Sequence, residues 1–160
     1  MRSKGMSDQS LMRLQRLEDQ LAIQQLAARF SDAVNERDVD AFISTWAEDG
    51  AVWEIGQPLP LRGEGRDGIR KMLNQLFTIE HYFMQMTHSG VLSLNGDHAT
   101  ARFVIREHGR GANTFYDNLA VYNDDVIRQA DGWRFLRRTY TYRFLAQEPF
   151  GGTAYPVAAP

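Results

Sequence analysis

Apolar residues recur with a helical period over the first third of the chain. Ile23, Leu26, Ala27, Phe30, Ala33 and Val34 fall three and four apart, one stripe of a helix whose pattern begins near Leu14. Asn35 to Asp38 breaks the stripe. Asp38 suits the N-cap of a second, shorter helix with Val39, Phe42, Ile43 and Trp46 on its inner side. Gly50 suits the stop that follows it. A third stripe, Ile69, Met72, Leu73, Leu76 and Phe77, predicts another helix. Between them, residues 51–55 read as a short strand. Residues 56–65, with two prolines and three glycines, read as a loop.

Beyond residue 80 the period changes from helical to alternating. Strands are predicted over 81–94, 98–110, 114–128 and 133–145, with a hairpin at Asn95-Gly96 and further turns near 109–113 and 130–132. Residues 1–12 and 147–160 read as tails flanking one domain over 13–146. Three helices followed by a meander predict an α+β fold. The helices cover one face of a curved, mostly antiparallel sheet, forming a cone-shaped barrel with a ligand-sized cavity in its mouth.

Strand parity then sorts the histidines. In the first long strand the even positions Tyr82, Met84, Met86, His88, Leu92 and Leu94 form the apolar face; in the second, the odd positions Ala99, Ala101, Phe103 and Ile105 do. A two-residue Asn-Gly turn pairs Leu94 with Asp97 and hence His88 with Phe103, which puts both apolar faces on one side. His88 is thereby expected on an apolar wall with Met84, Met86 and Phe103. It is either a core histidine or a neutral imidazole able to move protons near neutral pH. His108 has the opposite parity and falls outside with Arg102 and Arg106, unless a β-bulge, for which Gly90 is a candidate site, turns it inward.

Composition narrows the function classes. The chain has 160 residues, enough for one domain, and 43% of them are hydrophobic. It has no cysteine, so thiol nucleophiles, disulfides and zinc–thiolate sites are excluded. A net charge of -2 with both signs scattered argues against a nucleic-acid groove. No run approaches the roughly 20 apolar residues of a membrane span. The polar start carries no secretory signature, so a cytoplasmic location is expected. His81, His88 and His108 match no metal-ligand spacing, and neither a metal nor another cofactor is expected. The last two strands are apolar on both faces. That predicts a homodimer through the outer face of the sheet, with the C-terminal tail as the alternative cover.

The segments "AARFSDAVNERDVDAFISTWAEDGAVWE", "GRDGIRKML", "LNGDHATARF" and "YNDDVIRQADGWRFLRR" resemble the SnoaL-like branch of the nuclear transport factor 2-like (cystatin-like) superfamily, over about residues 14–145. The resemblance implies the cone fold and cofactor-free acid–base chemistry on a small molecule: dehydration, isomerisation or cyclisation of a hydroxy-carbonyl or polyketide-like ring. A ligand-binding module or partner subunit of the same fold is the alternative. It also implies site residues. His88 matches the strand histidine of scytalone dehydratases, and His108 their second. Asn35 stands where those enzymes carry an aspartate, and Trp53 where they carry a tyrosine. Glu54 falls where ketosteroid isomerases keep their base, while Phe30 replaces their tyrosine donor. The cyclase aspartate lands on Asp125, against the Tyr122 and Asp124 pair shared by related sequences; parity favours the pair. Met84, Met86, Phe103 and Tyr140 complete the expected lining of the pocket.

Overall fold

The computed structural model describes residues 7–79, 82–111, 114–149, 151–153 and Tyr155. Helix α1 (Asp8–Asn35) starts inside the stretch expected to be a tail, because Ser7 caps it by accepting from the Ser10 amide. Its first half stands clear of the core, with Leu11, Leu14, Leu17 and Leu21 exposed; its second half buries Ile23, Leu26, Ala27 and Phe30 completely. Asp38 caps α2 (Val39–Ser44) as its sequence implies, its Oδ1 accepting from the Ala41 amide at 2.8 Å. Helix α3 spans Gly65–Ile79. No helix among the described residues is long and apolar enough to cross a membrane.

The strands are β1 (Val52–Ile55), β2 (Leu61–Glu64), β3 (Tyr82–Thr87), β4 (Val91–Asn95), β5 (His98–Arg110), β6 (Thr114–Gln129) and β7 (Gly132–Pro149). They form one sheet in the order β2-β1-β7-β6-β5-β3, with β4 also on β5. Only β1 and β7 pair in parallel; the other ladders are antiparallel. The fold is the expected α+β. Strand β2 falls in the stretch expected to be a loop: Gly63 and the two preceding prolines hide it, and it is defined by its ladder to β1 rather than by its own pattern. Register shifts between Leu119 and Ala120 and between Asp125 and Val126 put bends into the long β6–β7 ribbon. The helices pack on its inner face, where Phe30, Phe42, Trp46, Ile69 and Leu73 meet Phe103, Ile105, Tyr122 and Phe135. Asp19 ties α1 to the far end of the sheet, accepting from Arg128 Nη2 at 2.6 Å and Trp133 Nε1 at 3.1 Å. The Arg128 hydrogen bond holds its carboxyl below the ordinary value.

The predicted strand 81–94 is two strands. Thr87 pairs with Ile105 but Val91 pairs with Arg102, so this edge carries one residue more than β5 across the break at 88–90. The hairpin also closes one residue later than expected: Asn95 pairs with His98, with Gly96 at a φ of 60° in the turn. That slide moves both strands equally and preserves parity. The bulge does not, so β3 is turned over relative to β4. The bulge has a physical cause in tertiary packing. A Cβ on Gly90 would lie under 3.0 Å from three carbons of the Phe103 ring, and Gln24 of α1 grips the Gly90 amide and carbonyl together. Gly90→Ala is therefore expected to destabilise the fold by about 1–3 kcal/mol, as overpacking does, read as a lower midpoint in urea unfolding. An unchanged midpoint would show that the Phe103 ring yields freely.

Candidate active site

A cavity of about 290 Å³ opens between α3, the end of α1 and the half of the sheet nearest β3. Leu73, Leu76, Phe77 and Ile79 form its helical wall, and Pro58 and Leu59 come from the loop after β1. The sheet contributes Trp53 and Ile55 from β1, Phe83 from β3, and Tyr116, Tyr122, Tyr140 and Tyr142 from the β6–β7 ribbon. Into this mostly apolar and aromatic hollow the sheet projects Gln85, Glu107, Asn118 and Gln147. No lysine, arginine or histidine is among the described residues lining it.

Glu107 is the centre of the polar group. It continues the inward parity of Ala99, Ala101, Phe103 and Ile105 on β5, and it is only 7% exposed. The ladder sets it directly between Gln85 of β3 and Asn118 of β6. Gln85 Nε2 donates to Glu107 Oε1 at 2.7 Å, while Tyr140 Oη and Asn118 Nδ2 donate to Oε2 at 2.7 and 3.3 Å. Gln85 cannot turn over without loss, because its Oε1 accepts from Ser31 Oγ at 2.7 Å. Its backbone is clamped by the Asn35 side chain, which both donates to and accepts from the main chain of Gln85 at 2.9 and 2.7 Å. Burial pushes the Glu107 carboxyl above its ordinary value of 4.5, against the pull of these three donors. Burial likewise raises the Tyr140 phenol, helped by the neighbouring carboxylate. Tyr140 is therefore a fixed hydrogen-bond donor.

Beneath the cavity lies a second buried acid. Arg138 Nε and Nη2 donate to the two oxygens of Asp124 at 2.9 and 3.1 Å, and both side chains are fully buried. The guanidinium is sandwiched among Phe30, Tyr122 and Phe135, at 3.9–4.2 Å from their ring centres. Burial pushes Asp124 up to about 6, with Arg138 pulling the other way. Trp53 Nε1 donates to the Tyr122 hydroxyl at 3.1 Å above this stack. Burial raises the Tyr122 phenol as well.

Residues 15–139 match the model of the SnoaL-like domain. The chain belongs to the SnoaL-like domain family. An uncharacterized protein of Mycobacterium tuberculosis is 27% identical over 147 residues, which is 86% of this chain and 94% of that protein. A protein from Novosphingobium aromaticivorans, provisionally named an aromatic ring hydroxylase, superposes with a TM-score of 0.76 at 27% identity, covering 82% of this chain and 94% of its own. A hexachlorocyclohexane dehydrochlorinase from Novosphingobium barchaimii shares the fold, with a TM-score of 0.77 at 21% identity over 92% and 99% of the two chains.

Set in this SnoaL-like frame, the expected site residues divide. Trp53, Tyr122 and Tyr140 line the cavity. Asp124 does not: it is spent in the buried pair with Arg138. Asp125 is exposed. Phe30 and Phe103 sit in solid core at 0% exposure, and Asn35 fastens β3 to α1 instead of facing the hollow. The expectation for His88 is overturned. The bulge shifts its partner from Phe103 to Val104, whose carbonyl accepts the His88 amide at 3.0 Å, and the residue is exposed. Met84 and Met86 turn outward with it, 38% and 39% exposed. His108 keeps the regular outer-face position, 3.7 Å from Asp117. Glu54 also faces out by alternation from Trp53 and Ile55, and it pairs with Arg62 and Arg137. His81 lies outside the described residues. Among the described residues no three histidine or acidic side chains converge as a metal set.

Glu107, Gln85 and Asn118 were missed. The signal for Glu107 was present: it is the next odd position after Ile105 on a face already assigned inward.

Proposed function

We propose that this SnoaL-like protein is a cofactor-independent acid–base enzyme acting on a small, uncharged, ring-shaped molecule, with Glu107 as the proton-transfer group. The observation that carries this is a buried carboxyl with a raised pKa, opening on an apolar cavity and surrounded by donors alone. Gln85, Tyr140 and Asn118 all give hydrogen bonds to Glu107 and none takes one. In this arrangement the neutral acid's own hydrogen has no protein acceptor among these three partners. The ionised form keeps three donors that hold it aimed at the cavity. A carboxylate poised this way can remove a proton from carbon: in isomerisation it returns the proton elsewhere on the same molecule, and in elimination the leaving group departs with its bonding electrons while the base later gives the proton to solvent. The name of the dehydrochlorinase neighbour, which denotes loss of hydrogen chloride from a ring, supports elimination as the reaction class.

The test needs no knowledge of the natural substrate. With 2-indanone or 4-chromanone in heavy water, the protein is expected to speed exchange of the protons beside the carbonyl, followed by NMR. The active form is the carboxylate. The rate should therefore rise with pH on a limb above the ordinary glutamate value of 4.5, because burial raises the group. Binding without exchange would instead support a ligand-binding module, and exchange no faster than in buffer would overturn the enzyme reading.

We also propose a homodimer through the outer sheet face. Met86, Arg106, Leu119 and Phe144 follow one another across four strands, and Leu119 and Phe144 are 42% and 53% exposed, with Val104 beside them at 47%. Exposed apolar residues gathered on one sheet face mark association surfaces. Sedimentation should give twice the single-chain mass, and Leu119→Lys should shift it toward the monomer. A wild-type protein that sediments as a single chain at high concentration would remove this proposal.

A further inference from the structure

Among the described residues lining the cavity, Asn118 carries a polar atom that the fold leaves unanswered. Asn118 is 8% exposed and lines the hollow, yet its Oδ1 is buried with no hydrogen-bond partner. Its amide orientation is not free. Nδ2 donates to Glu107 Oε2, the oxygen that also receives the Tyr140 hydroxyl. Turning the amide over would set Oδ1 against Oε2, two acceptors face to face whenever the carboxyl is ionised or carries its proton on Oε1. In those two states the amide is thus pinned with its donor end on the acid and its acceptor end unpaired. Buried acceptors are almost always satisfied in native proteins, and an unsatisfied one at a cavity wall marks where a ligand donor belongs.

The charge of the lining sets a second condition. Among the described residues lining the cavity, Glu107 is the only acidic side chain and none is basic, so none of them neutralises an anion. A ligand carboxylate or phosphate would sit beside a carboxyl in a low-dielectric hollow with no counter-charge.

We infer that Asn118 positions the substrate by accepting a hydrogen bond from an O–H or N–H group on its ring, and that the site selects uncharged donor-bearing rings over anionic ones. This deepens the proposed function and rests on the cavity being its ligand site. Asn118 acts here as a positioning residue: it fixes which edge of the ring faces Glu107 and takes no proton itself. A site built around an acceptor discriminates against analogues lacking the donor, because binding them leaves the acceptor buried and unpaired.

Indole, 1-methylindole, 3-methylindole and indole-3-carboxylate test this by calorimetric titration of the full-length protein. Indole and 3-methylindole, which keep the N–H, should bind at least about tenfold more tightly than 1-methylindole, the value of roughly one buried hydrogen bond. Because 3-methylindole carries the same added methyl, it controls for bulk. Indole-3-carboxylate keeps the N–H but should bind at least about tenfold more weakly than indole. In Asn118→Leu, or in Asn118→Ala if the former does not fold, the preference for indole over 1-methylindole should shrink to about twofold or less. Equal binding of the two by the wild-type protein overturns the inference, as does tight binding of the carboxylate or a preference that survives the substitution. If none of the four binds, the cavity reading falls with it. Loss of ketone exchange with this discrimination intact would remove only the catalytic assignment of Glu107.

Discussion

Glu107→Gln is expected to slow the exchange of ketone α-protons by about 10²–10⁴-fold, the usual contribution of a placed acid–base group, and to abolish the rising pH limb. The amide is close in shape to the carboxyl, so the substitution removes the titrating group and leaves the cavity much as it was. Stability should not suffer. The folded-state pKa lies above the unfolded value, so the acid favours the fold most while protonated, below the ordinary 4.5, and that advantage is lost as pH rises through the raised pKa. At neutral pH the glutamine variant should therefore melt no lower than wild type by more than a few degrees. A variant that folds, binds indole and still exchanges protons at the wild-type rate would show that another group does the chemistry.

The largest stability effect is expected at Asp124. Removing it in Asp124→Ala leaves the Arg138 guanidinium fully buried, with its stacking on Phe30, Tyr122 and Phe135 but without its carboxylate. Breaking a buried pair from one side costs about 3–5 kcal/mol. In a chain of this size that is roughly 6–20 °C of melting temperature. The stacking rings cannot supply the lost hydrogen bonds, and Arg138 Nη1 already has no partner in the wild-type protein. Burial works against the aspartate even with Arg138 present, so the pair itself is only narrowly favourable. The double change Asp124→Leu with Arg138→Met should accordingly recover much of the loss. Urea unfolding of the three variants decides it. A single variant within about 1 kcal/mol of wild type would mean that water reaches Arg138 once the acid is gone.

The two buried acids differ in what surrounds them. Asp124 and Glu107 are both buried and both pushed upward, but of the two Glu107 alone lines the apolar cavity between α3 and the sheet. Asp124 has a bidentate cation, and its side chain is fully buried. The cavity and the ion-paired core share Tyr122 as a boundary: its hydroxyl accepts from Trp53 and its ring lies against Arg138. Variants at Tyr122 will thus mix ligand and stability effects, whereas Glu107 and Asp124 report on them separately.

Much of the fold could be read from the residues. The stripes Ile23 to Val34 and Ile69 to Phe77, and the Asp38 cap, needed only helical spacing and hydrogen-bonding chemistry. The alternation Ala99, Ala101, Phe103, Ile105 placed the inner face of β5 and, carried one step further, would have reached Glu107. Composition alone excluded thiol chemistry. These are local properties: each depends on neighbours within a turn of helix or along one strand.

The site was decided elsewhere. One extra residue at 88–90 turns β3 over, sending His88, Met84 and Met86 outside and bringing Phe83, Gln85 and Thr87 inward. Alternation cannot announce where it will be interrupted. The interruption is held by the Phe103 ring lying on Gly90 and by Gln24 reaching across from α1, contacts between segments far apart in the chain. Which acid meets an arginine and which meets a cavity was equally a matter of assembly. Asp124 and Glu107 look alike along their strands, and only the packing of α1, α3 and β7 around them ion-pairs one in the core and opens the other on the cavity.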